Sequence, residues 1–206
     1  MKRTIKSRKR RSELMARTNL SIDRKIFDEF SAQAQRKNMT LFAFANESLS
    51  AISKIAAEGG DPAELYRIWR VLTILRQVDV ITLPSDFVEE LIDSLYKADK
   101  ESTLARFREL GASLVGLLKM ATEDLAGLSD LAQDFGFIIP IKRFSMTTNK
   151  EGDVEVAVVG AGKSHETTVC SSEFLKAILN GYGYDVTKEE IHAGAIRLSA
   201  QRRNWG

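Results

Sequence analysis

"ARTNLSIDRKIFDEF", Ala16 to Phe30, decides how the N-terminal part of this chain is built. From Arg17 to Ile22 the side chains alternate. Thr18, Leu20 and Ile22 lie on one side and Arg17, Asn19 and Ser21 on the other, which is the period of a strand. At Asp23 the period changes. Asp23 is a good helix cap, and Ile26, Phe27, Phe30 and Ala34 then share one face of a helix. That helix is expected to end near Lys37-Asn38, because asparagine suits a left-handed C-cap. Thr40 is the next N-cap. Leu41, Phe44, Ala45, Leu49, Ile52 and Ile55 keep helical spacing to about Ala57.

A lone six-residue strand is unstable in water, and its backbone groups need partners. No second strand lies within the first 60 residues, and a short helix pair buries too little surface to fold alone. Both deficits vanish when two chains meet. The two copies of Arg17–Ile22 pair antiparallel, and four helices close over Leu20 and Ile22, with Thr18 and Phe30 completing the dimer core.

This strand-helix-helix pattern over residues 16–57 resembles the ribbon-helix-helix DNA-binding family, the class of the Arc and methionine repressors. The resemblance implies an intertwined homodimer whose two-stranded ribbon enters the major groove of double-stranded DNA. Matched position by position, Arg17, Asn19 and Ser21 then face the bases. Arginine can donate two bonds to guanine and asparagine can bond adenine at N6 and N7, whereas serine discriminates least. The N-terminus of the second helix, at Thr40 and Leu41, implies a phosphate contact. Asn38 stands where many members of the family have glycine.

Charge supports a polyanion partner at this end. Residues 1–60 hold 13 Lys/Arg and 6 Asp/Glu, a net of +7, against 17 and 22 in the remainder, a net of −5. The first fifteen residues read as a disordered basic arm in which Lys6, Arg8, Lys9, Arg10 and Arg11 can contact phosphates. The arm lacks the apolar stretch of a signal peptide, and no apolar run approaches the ~20 residues of a spanning helix. A single cysteine, Cys170, fits a reducing compartment. The expectation is a cytoplasmic, nucleoid-associated prokaryotic protein with no membrane contact.

"EGGDP" breaks the chain before Pro62 and marks a domain boundary between residues 16–58 and 62–206. Four helices are expected over 62–135: "PAELYRIWRVLTILRQ", a second capped by Ser85 with Phe87, Leu91 and Leu95 on one face, "KESTLARFRELGASLVGLLKMAT", and "EDLAGLSDLAQDFG". Tyr66, Ile68, Trp69, Leu72 and Leu75 give the first more apolar bulk than an exposed helix should carry. Core packing explains it most simply, and a dimer-to-dimer contact is the alternative. Strands follow from residue 137: "FIIPIKRFSMTT" and "DVEVAVVGA" around the turn "NKEG", then a helix capped by Ser171 or Ser172, then "AIRLSAQRR". The fold class is α+β.

Two motifs in this body imitate sites. "VVGAGKSHE" resembles a phosphate loop, but the first glycine of G-x-x-x-x-G-K-[ST] would fall at Ala157, and no helix is expected at Lys163. His165, Cys170 and His192 match no strong zinc spacing. The reading therefore assigns no cofactor, no metal and no enzymatic motif. The stretch from Val169 to Arg203 is similar to the closing segment of 4-vinyl-reductase-type ligand-binding domains, without their usual cysteines. Taken together, the sequence points to a sequence-specific transcriptional regulator, such as a repressor, acting as a homodimer. Its C-terminal domain would sense a small-molecule effector or drive higher assembly. The alternatives are a partition or architectural protein coating repeated sites, and an antitoxin.

Overall fold

The computed structural model describes residues 19–122, 124–136, 141–149 and 152–203. The chain divides into two compact units, one ending at Gly60 and the other beginning at Asp61. Lys6, Arg8, Lys9, Arg10, Arg11, Arg17 and Thr18 lie outside the described residues.

The first unit is a helix pair, α1 (Arg24–Arg36) and α2 (Leu41–Ala57). Asn19 to Ile22 form no strand within this one chain. Asp23 caps α1 by accepting the Lys25 amide at 2.8 Å, and Asn38 turns the chain with φ 54°. Asparagine tolerates this left-handed geometry better than other residues with a β-carbon. Ala34 is the single buried residue of the pair among those described, so the unit has almost no core of its own.

The second unit is α+β. It contains α3 (Pro62–Leu75), α4 (Ser85–Ala98), α5 (Lys100–Ala121), α6 (Leu125–Phe135), β1 (Arg143–Thr148), β2 (Val154–Val159), α7 (His165–Gly181), β3 (Tyr184–His192) and β4 (Ala195–Arg202). The strands make one antiparallel sheet in the order β1-β2-β4-β3. Strand periodicity puts Val154, Val156 and Val158 beside Ile196, Leu198 and Ala200 on one face, and all six are buried. Glu155 and Arg197 take the other, exposed face. Leu118, Leu125, Leu128, Leu131, Ile178 and Leu179 complete the core from the helices. Among the described residues no helix is long and apolar enough to cross a membrane.

Several local expectations need correction. Pro84 takes the cap position of α4, and Ser85 is its first residue without a side-chain cap bond. α7 starts at His165 rather than after Ser171 or Ser172, with Ser164 as its cap accepting the Thr167 amide at 3.0 Å. A helix therefore does follow Lys163. Ser172 is buried inside α7 and donates to Glu189 at 2.5 Å. β3 is an additional strand, missed because a bulge between Val186 and Lys188 breaks its alternation. On α3, Val71 and Ile74 form the buried side, whereas Tyr66, Trp69 and Leu72 are exposed. Phe87, Leu91 and Leu95 of α4 are exposed as well.

Candidate nucleic-acid interface

Asn19, Leu20, Ser21 and Ile22 run directly into the Asp23 cap, and all four are exposed in the single chain. Leu20 is 66% and Ile22 49% exposed. The apolar Leu20 and Ile22 thus stand in solvent beside the polar Asn19 and Ser21. The same holds further on: Ile26, Phe27, Phe42, Leu49 and Ile52 are exposed although they sit on the apolar faces of α1 and α2. Phe30 is half-buried, with its ring centroid 4.5 Å from that of Phe44, and this contact ties α1 to α2.

The turn between the helices presents the start of α2. Thr40 Oγ1 accepts the Ala43 amide at 3.2 Å. Leu41 is half-buried at the first helical position. The first-turn amides of a helix lack intrahelical carbonyl partners and the helix dipole is positive there, which favours an anion. Lys37 adds a cation just before this turn, with its ammonium 5.9 Å from the centre of the Phe44 ring. Lys37 is an addition to the phosphate contacts expected from the sequence at Thr40, Leu41 and the basic arm, although "RKNMT" places two cations before the cap. Among the described residues, no hydrogen bond within the chain joins Asn19 or Ser21 to Thr40 or Leu41.

The second unit holds a different anion-shaped turn, and the protein fills it. Between β2 and α7, Gly160 and Gly162 adopt positive φ, which brings the amides of Lys163 and Ser164 toward α4. Both donate to the Glu89 carboxylate, at 3.0 and 3.5 Å. The Lys163 ammonium pairs with Asp86, and that hydrogen bond raises its pKa. Ser164 Oγ donates to Asp93 at 2.6 Å. Asp86, Glu89 and Asp93 share one side of α4, and together they occupy the turn that a phosphate would need. Ala157 lies within β2, so the loop also lacks the glycine a phosphate cradle requires.

Cys170 is completely buried, and burial pushes its thiol pKa up to about 11. His165 and His192 are exposed, at the start of α7 and the end of β3. Glu173 on α7 binds Arg108 of α5 at 2.7 Å and also pairs with Lys176, which reaches Glu189 at 3.0 Å. The charges lining the cleft between α5 and α7 are thus paired with one another.

Comparison with protein-family models, curated proteins and solved structures found no match to this chain.

Proposed function

We propose that two copies of this chain join through residues 16–58 into a ribbon-helix-helix module that binds double-stranded DNA in a sequence-specific manner, as a transcriptional regulator. The observation that carries this reading is the unfinished core of the first unit. Seven large apolar side chains, Leu20, Ile22, Ile26, Phe27, Phe42, Leu49 and Ile52, are exposed around a helix pair whose buried residue is Ala34. A second copy supplies the missing half of that core and a partner strand for Arg17–Ile22. Asn19 and Ser21 then stay outside, with Arg17, for base contacts. The α2 N-terminus at Thr40 and Leu41 takes a phosphate, and Lys6, Arg8, Lys9, Arg10 and Arg11 follow the backbone.

Selection of bound duplexes from a random pool, followed by titration across salt concentrations, tests the reading. Arg17→Ala or Asn19→Ala should abolish preference for the selected site while leaving weak general binding. Each good base contact is worth about 1–3 kcal/mol of discrimination. Removing residues 2–11 should weaken binding to every sequence and flatten the salt slope. If all these variants act alike on every duplex, the strand does not read bases. The folded unit that follows, 61–206, serves effector sensing or assembly in this reading, which sets the chain apart from an antitoxin with a short tail.

A further inference from the structure

α3 is apolar on two opposite sides. Val71 and Ile74 are buried on one, where Arg70 and Arg67 also reach Asp134 of α6 at 3.3 and 3.9 Å. Leu65, Tyr66, Trp69 and Leu72 form a stripe on the other, with Tyr66 66% and Trp69 56% exposed. At ~100° per residue the stripe lies roughly opposite Val71 and Ile74, and it contains no charged side chain. Large apolar side chains gathered on an exposed face mark an interaction site. Among the described residues of the second unit, only the Val71–Ile74 side of α3 is covered.

Glu64, Arg67 and Arg70 lie off this stripe, and Arg76 caps the last turn, its guanidinium 5.4 Å from the centre of the Trp69 ring. Trp69 is close to the middle of the helix. Two such helices laid antiparallel about Trp69 bring Leu65 and Tyr66 of each against the Leu72 end of the other. An isologous contact of this kind is what a two-fold dimer provides.

We infer that the Leu65–Leu72 stripe is covered by α3 of a second copy of this chain, packed antiparallel with Trp69 at its centre. The inference rests on the proposed dimer. Only Glu58 to Asp61 separate α2 from α3, so chains joined through residues 16–58 hold their α3 helices at high local concentration. The stripe offers roughly 400 Å² of apolar side chain, given that a large aromatic presents about 150–250 Å². A standard interface takes ~800 Å² from each partner. The contact therefore completes a tethered dimer rather than making one alone.

Sedimentation of the full-length chain through a dilution series tests this, with circular dichroism to check folding. Trp69→Glu, or Tyr66→Glu should the first variant misfold, is expected to raise the dimer Kd about tenfold or more, since buried aromatics dominate interfaces. Leu20→Glu reports separately on the N-terminal module. If Leu20→Glu breaks the dimer while the α3 variants leave its Kd unchanged, α3 docking is overturned and the module stands. If the α3 variants break it and Leu20→Glu is silent, the module reading fails and the α3 contact survives. A wild-type monomer overturns both.

Discussion

Gly111 of α5 lies against Phe174 of α7 so closely that a β-carbon there would sit 2.5 Å from the Phe174 carbonyl oxygen and 3.0 Å from Ala177 Cβ. Backbone cannot move aside as a side-chain tip can. Gly111→Ala should therefore push α5 off α7 and cost about 1–3 kcal/mol, the usual range for overpacking. Urea unfolding of the purified variant measures it. An unchanged midpoint would mean that the two helices slide apart freely.

Asn38 tests the turn that carries α2 to its place. Its φ of 54° is comfortable for glycine and poor for a branched residue. Asn38→Gly should leave thermal stability within about 0.5 kcal/mol, and Asn38→Val should lower it by about 1–2 kcal/mol. Both must be measured at one protein concentration, because a dimer melts in a concentration-dependent way. Equal melting of the two variants would show that the turn relaxes.

Acid should loosen the α5–α7 clamp. Burial pushes the Glu173 carboxyl up, but hydrogen bonds from Lys176 and Arg108 outweigh it and leave the pKa below the ordinary value of 4.5. A lowered carboxyl pKa stabilises the fold above the unfolded value and loses that contribution as pH falls through the folded one. The denaturation midpoint should therefore drop as pH falls below about 4.5. Glu173→Gln should drop less over the same range. Parallel pH profiles for the two proteins would remove Glu173 from the account.

Cys170 offers a probe of opening. The thiol is completely buried and its pKa is about 11, so the reactive thiolate is scarce at neutral pH. A maleimide should label the native chain slowly, at a rate that rises with urea in step with unfolding. Rapid, complete labelling without denaturant would show that α7 breathes locally.

The sequence and the structure agree where one local signal dominates. Asp23, Thr40 and Pro62 announce helices that begin where expected, and the left-handed Asn38 closes α1. The β2 valines alternate as their period demands. The misses have tertiary causes. "HETTVC" reads poorly as helix, yet Thr168 is held there by bonds to the Ser164 carbonyl at 2.6 Å and from the Gly194 amide at 2.8 Å, and Gly194 lies 26 residues away. The β3 bulge hides a strand from any count of alternation. Within the candidate site, the capping of Thr40 is visible in both. The proposed ribbon would be a property of a pair of chains, and among the described residues one chain displays only the exposed side chains of Leu20 and Ile22.

The far edge of the sheet has a last consequence. β3 is bulged between Val186 and Lys188 and carries Lys188, Glu189 and Glu190 in succession. Charge and irregularity of this kind stop strands of neighbouring molecules from docking side by side. On that border the protein is proofed against runaway polymerisation. Most of its exposed large apolar side chains lie instead on helices, which cannot extend a sheet from one molecule to the next.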